Sequence, residues 1–359
     1  MLKFILKRIF YGFLVLLGVV VVVFFLFNVL PGDPARMVLG VRADVSSIES
    51  INKDLGRNRP LTTQFLMYLN DLMPVSIHDK KNTESVLYLN PDKYSKYFQL
   101  FPIFGDRVVV LKEPYLRRSY QSKRRVSEII LEALPGTAVL AITAMLFATV
   151  VGTFLGALAA VRKHSFFDNL ALVLAALGMS IPSFFAGIII AWIFGFVLSD
   201  YTGLNMTGSL YSINPFEGEV LDLKNLVLPA ITLGIRPLSI IVQLTRSSML
   251  DVLGQDYIRT AKAKGLTHYK IITKHALKNA MNPVVTAISG WFASLLAGAV
   301  FIEYIFGWKG IGRTTVVALE QYDFPVVMGA VLLVAIVFVI INILVDIMYG
   351  ILDPRVRVR

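Results

Sequence analysis

The chain has 359 residues, 56% of them apolar and only 16% charged, with a net charge of +11 and no cysteine. Soluble domains carry about a quarter of their residues as charges, so this composition argues against a soluble enzyme, a secreted fibre or a disordered regulator. The lack of cysteine excludes disulfides, zinc–thiolate sites and iron–sulfur clusters. In a chain this apolar, the positive charge points to basic cytoplasmic loops rather than to nucleic acid.

In chain order, the first apolar run covers 9–30 behind Lys3, Lys7 and Arg8. It is longer than the 7–15-residue core of a signal peptide and ends at Leu30-Pro31-Gly32-Asp33-Pro34 without a small-residue cleavage site. Further runs lie near 136–161, 168–198, 226–248, 283–306 and 325–351. Each is long enough for a crossing, which needs about 20 apolar residues. Run 168–198 exceeds one crossing and is expected to tilt or kink at Pro182. Gly152, Gly156 and Ala160 form a small-residue stripe suited to close helix contact. Asn282-Pro283 reads as a cap and first helical residue of the fifth span.

With the spans alternating sides, the cytoplasmic segments (1–8, 162–167, 247–282 and 352–359, with Arg246 at the border) hold 15 Lys and Arg. The short outer loops 199–225 and 307–324 hold 3, as the positive-inside rule requires. The expected fold is therefore an all-α polytopic membrane protein. It has six transmembrane helices, both termini cytoplasmic, and a large extracytoplasmic segment between helices 1 and 2. Its divisions are the tail and first helix (1–30), the outer segment (31–135) and a five-helix core (136–359).

Loop 247–282 carries the densest pattern. Asp256 can cap a short helix with Tyr257, Ile258 and Ala261 on one side, and Arg259, Lys262 and Lys264 towards its C-terminal end complement the helix dipole. Gly265 sits where a glycine ends a helix. A second helix is expected from about His268, with Ile272, Ala276 and Ala280 on one face and Lys270, Lys274 and Lys278 on another. Two readings are open: a basic hairpin resting on anionic headgroups, or a knob that docks in a partner's groove.

Here the residues carry a resemblance. Asp256-Tyr257-Ile258-Arg259-Thr260-Ala261-Lys262-Ala263-Lys264-Gly265-Leu266, followed by His275-Ala276-Leu277-Lys278-Asn279-Ala280, resembles the coupling loop of binding-protein-dependent ABC permeases. The match is closest to the B-type subunits of the dipeptide/oligopeptide (and nickel) importers. Arg259 and Thr260 stand where the general loop has Glu and Ala. Supporting stretches are 30–34, 59–65, 134–137, 181–185, 302–312 and 345–355, whereas about 74–114 has no counterpart and looks inserted.

The resemblance implies a permease forming half of a translocation path for di- or oligopeptides, with nickel chelates or oligosaccharides as alternative cargo. It also implies a second homologous permease subunit, two cytoplasmic ABC ATPases and an extracytoplasmic binding protein. On this reading Tyr257, Arg259, Thr260, Ala261, Ala263, Lys264, Gly265, His275 and Leu277 serve the ATPase contact. No catalytic residue and no cofactor is expected. ATP hydrolysis would reside on the partners, since the chain has no G-x-x-x-x-G-K-[ST] loop. His78, His164, His268 and His275 have no metal-ligand spacing. Lys123-Arg124-Arg125 leads amphipathically into the second span, which reads as headgroup contact and not as nucleic-acid binding.

Ionisable residues within spans are costly to bury in lipid and usually face a bundle interior. Arg236 falls near midplane beside Pro237, Asp346 and Asn342 lie toward the inner end of the sixth span, and Glu303 lies near the outer end of the fifth. The favoured expectation is a structural pair between Arg236 and Asp346. The alternative places Arg236 on the path, facing anionic groups such as a peptide carboxylate. An ion-driven secondary transporter is the competing class, but such folds favour midplane carboxylates or broken helices.

Overall fold

The computed structural model describes residues 2–28 and 59–352, apart from 83, 84, 86, 92, 95, 104, 105, 215 and 217. Loop residues 30–34 and the tail 353–359, both used in the sequence reading, lie outside the described residues. In chain order the elements are α1 (Leu2–Asn28), α2 (Leu61–Leu72), β1 (Val75–Asp79), β2 (Tyr97–Pro102), β3 (Arg107–Lys112), α3 (Val126–Val161), α4 (Phe166–Ser180) and α5 (Ser183–Trp192). They continue with β4 (Tyr211–Asn214), β5 (Gly218–Leu221), α6 (Lys224–Leu253), α7 (Asp256–Ala263), α8 (Leu277–Ile305), α9 (Ile311–Glu320) and α10 (Phe324–Leu352).

Among the described residues four helices are long and apolar enough to cross a membrane: α1, α3, α6 and α10. The pair α4–α5 makes a fifth if it is one span, but it is bent by 110°. The expected kink at Pro182 is thus a full break. Pro182 cannot donate to the Gly178 carbonyl, and the chain runs extended through Ile181 and Pro182 before α5 begins. α8 covers the expected fifth span but is not among the helices that meet the length and apolarity required. It also runs unbroken through Pro283, so Asn282-Pro283 does not start a helix. The second docking-loop helix and the fifth span are one continuous rod.

The chain divides into two compact units. The first comprises 1–10, 133–313 and 337–359. Its core is an alanine seam on α3 (Leu140, Ala144 and Ala148, one turn apart) packed with Leu233 and Ile241 of α6 and Leu295, Ala299 and Ile302 of α8. The small-residue stripe serves this packing. A Cβ on Gly152 would lie 2.9 Å from Ile241, and one on Gly156 would lie 2.6 Å from the Val242 carbonyl. Only hydrogen at those positions lets α3 and α6 approach this closely.

The second unit comprises 11–132 and 314–336, and here the all-α expectation fails. Residues 75–112 build an antiparallel sheet of order β1-β3-β2. The Val108-Val109-Val110 run and the aromatic 97–102 stretch favour the pleat. Ser76, His78, Val108 and Val110 turn inward, and Leu89, Tyr94 and Tyr115 close over the two valines. This sheet falls within the stretch that had no counterpart in the resemblance. A second apolar cluster joins Val23 and Phe24 of α1 to Tyr68 of α2 and Met328 and Leu332 of α10.

Candidate coupling loop and intramembrane polar groups

The loop after α6 folds over an apolar core shared with the ends of α3 and α6. Ile258 and Ala261 of α7, Ile271, Ala276 and Ala280 are buried together with Met249 of α6 and Ala160 of α3. Asp256 does not cap α7. Gln255 precedes the helix, and Asp256 opens its first turn, ion-paired with Arg259 at 3.2 Å. Gly265 turns the chain at φ +74°, a left-handed conformation that side chains with a Cβ rarely adopt. Residues 268–270 then form a single turn, and Ile271–Ala276 form a π turn that runs into α8. The π turn inserts one residue into the helical period. It therefore brings Ile271, rather than the expected Ile272, onto the buried face with Ala276 and Ala280.

Of the residues expected to serve the partner, Tyr257, Arg259, Thr260, Ala263, Lys264 and Gly265 are exposed, and His275 and Leu277 are half-buried. Ala261 is 7% exposed and faces the apolar core beneath the loop. Tyr257 is not on the buried side either. Its hydroxyl accepts from the Asn279 side-chain amide at 3.0 Å, tying α7 to α8.

Within the expected spans five charged residues occur: Asp168, Arg236, Arg246, Glu303 and Asp346. The expected Arg236–Asp346 pair is not formed. Asp346 pairs with Arg8 at 3.2 Å, bringing the first unit's N-terminal turns to the end of α10. Asn342 donates back to the Phe338 carbonyl of its own helix at 2.8 Å.

Glu303 is fully buried. Its carboxylate accepts from Thr137 Oγ1 at 2.6 Å and from the Arg313 amide at 3.1 Å. Thr137 Oγ1 in turn accepts from the Ile311 amide at 2.8 Å. The carboxylate therefore sits on the N-terminus of α9, where helix amides and dipole favour an anion. Gly310 packs directly on Glu303, and a Cβ there would collide with the carboxylate; one on Gly312 would collide with the Val300 backbone and lie 3.0 Å from Glu303. Trp308 Nε1 donates to the Gly136 carbonyl at 2.9 Å. These contacts give the stretch 302–312 a structural reason: it wraps the carboxylate.

Sequence reading missed the pairing of Asp168 with Arg246. Arg246 clasps the Asp168 carboxylate through Nε and, at 2.8 Å, through Nη2. The same carboxylate accepts from the His164 amide at 2.9 Å, and Ser165 Oγ accepts from the Asp168 amide at 3.3 Å. The signal was present as Ser165-Phe166-Phe167-Asp168, a capping box with Asp in place of Glu. Arg246 thereby anchors the α3–α4 turn seven residues before the end of α6.

Residues 152–358 match the family model described as "Binding-protein-dependent transport system inner membrane component", and residues 1–86 match its N-terminal companion. The chain belongs to this family. The permease is 36% identical over 375 residues to the dipeptide transport system permease protein DppB of Escherichia coli (strain K12), covering 99% of each chain. It is 33% identical over 359 residues to the glutathione transport system permease protein GsiC of Salmonella typhimurium (strain LT2), covering all of both. An inward-facing structure of the MetNI methionine ABC transporter aligns with a TM-score of 0.49 and 16% identity, over 63% of the permease and 97% of that chain. The family match and the two permease relatives make this chain an integral membrane component of an ABC import system, of the B type.

Proposed function

We propose that this permease forms half of the translocation path of a di- or oligopeptide importer. It would cross the membrane six times with both termini in the cytoplasm, the bent α4–α5 pair and α8 supplying the two crossings beyond α1, α3, α6 and α10. A second homologous permease would complete the path, two cytoplasmic ABC ATPases would drive it, and an extracytoplasmic binding protein would deliver the peptide. The cargo is taken from the dipeptide and glutathione relatives; glutathione is itself a small peptide.

The observation that carries this reading is the knob of residues 256–280. Its apolar face is satisfied by Ile258, Ala261, Ile271 and Ala276 packing with Met249 of α6 and Ala160 of α3, so its exposed face is left for an external contact. Arg259, Ala263 and Lys264 stand on that face. A rigid knob at a fixed distance from the spans can transmit a push from an ATPase groove. The test is Ala263→Glu and Lys264→Glu in the assembled importer. Both variants should insert and fold, yet lose co-purifying ATPase and peptide uptake. Wild-type uptake and wild-type binding-protein-stimulated ATP hydrolysis in both would refute the contact. A basic face resting only on headgroups predicts that outcome.

A further inference from the structure

Arg236 stands apart from the other charged groups in the spans. Asp168 is held by Arg246, Glu303 by Thr137 and the α9 amides, and Asp346 by Arg8. Every intramembrane carboxylate among the described residues is therefore engaged, and the Arg236 guanidinium has no hydrogen-bond or ion-pair partner among them. It is the thirteenth of thirty residues in α6, about 18 Å from one end and 26 Å from the other at 1.5 Å per residue. A guanidinium with five donors cannot stay unpartnered in hydrocarbon.

It borders a cavity of about 180 Å³ with Gly178, Ile181, Ser183, Ile189 and Thr232. No acidic side chain lines that cavity. The cavity lies at the 110° break between α4 and α5. Ser183 lines it as well, and α5 starts there after Pro182 with no side-chain cap. The rest of the lining is almost wholly apolar, so the exposed Arg236 guanidinium is the one charged group at this space and has no acceptor there.

From this we infer that Arg236, with Ser183 beside it, is an anion-recognising subsite on the translocation path that takes the carboxylate of the passing cargo. The cargo part rests on the peptide-importer reading; the anion part does not. The subsite orients a peptide by its charged end, and the arginine is solvated by the path rather than by another helix.

The chain has no cysteine, so Ser183→Cys places a single thiol at the cavity with Arg236 intact. In the complete importer, turning over with binding protein in proteoliposomes, this introduced thiol is exposed to a negatively charged sulfonate thiosulfonate and to its trimethylammonium counterpart. Modification is read by mass on this chain. The ratio of anionic to cationic labelling should be at least tenfold higher with Arg236 than with Arg236→Gln, and Arg236→Lys should keep most of the preference. A free-acid dipeptide should protect the thiol and its C-terminal amide should not. A ratio that Arg236→Gln leaves unchanged, a thiol that neither reagent reaches, or equal protection by acid and amide would overturn the inference. So would loss of the second permease subunit from Arg236→Gln complexes, which would mean that an acidic residue of that subunit is the partner. Protection by neither peptide with the ratio intact would count against the peptide reading and leave the anion subsite standing.

Discussion

His78 makes the outer sheet sensitive to acid. It is fully buried on β1, with Nε2 2.9 Å from Ser76 Oγ, Nδ1 3.2 Å from the Leu87 carbonyl, and its ring edge-on to Tyr94 at 4.9 Å. Burial first, and then the charge of Lys112, push its pKa from 6.5 down to about 4. Lys112 is itself lowered by burial, to about 8, so it remains cationic near neutral pH. The folded sheet therefore holds a neutral imidazole, while an opened sheet takes up a proton once the pH falls below about 6.5.

Between those two values the open form binds more protons. Stability is thus full above pH 6.5, declines as the pH falls to about 4, and levels off below. A gap of about 2.5 units corresponds to about 3 kcal/mol, or ~300-fold in the opening constant, when fully developed. The assay is hydrogen exchange of peptides covering 75–79 and 107–112 in the intact protein at pH 7.5 and 4.5, corrected for intrinsic exchange. At pH 4.5 opening should rise roughly 70-fold, since the shift is not yet complete there. In His78→Gln the imidazole term is gone and that rise should largely vanish. The reasoning is falsified if the corrected exchange is equal at the two pH values in the wild type, or if His78→Gln shows the same rise.

Two further outcomes follow from the buried polar groups. Thr137→Val removes both the hydroxyl that Glu303 accepts from and the acceptor of the Ile311 amide, and should cost about 2–3 kcal/mol. Thermal unfolding in detergent measures this, and Thr137→Ser should recover most of it. Arg246→Met strands the buried Asp168 carboxylate and should cost about 3 kcal/mol or more, while adding Asp168→Leu should recover a large part. Unfolding midpoints that fall additively in the double variant would deny the pair its coupling.

How much was legible depended on whether a feature was local. Apolar length alone located α1, α3, α6 and α10, and the spacing of Gly152 and Gly156 anticipated a close helix contact without saying that α6 makes it. In the knob, the turn at Gly265 and the buried Ala276 and Ala280 were readable from period and glycine chemistry. What failed required a partner distant in sequence. Asp346 lay nearer the inner end but within a long side chain's reach of Arg236; depth does not say which helix adjoins, and Arg8 takes the contact. Glu303 read as a lone carboxylate because Thr137 lies 166 residues away. The sheet was hidden for a different reason. Tyr97–Pro102 is exposed along its whole length, so it shows no alternation that would reveal a strand. The Arg246 clasp was overlooked because Asp168 was taken as the edge of an apolar run.

The π turn at Ile271–Ala276 has a consequence for how this knob can change over time. Because it is one residue longer than the helical turn it replaces, it sets the angle at which α7 and its cations face relative to the rod of α8. Substitutions there keep that angle. Losing or gaining a single residue between Gly265 and Leu277 turns the knob about 100° around the α8 axis while every side chain remains present. The length of this stretch, more than its composition, therefore fixes which face the knob presents. Two permeases with the same loop letters and one residue's difference in spacing would present different faces to the same partner.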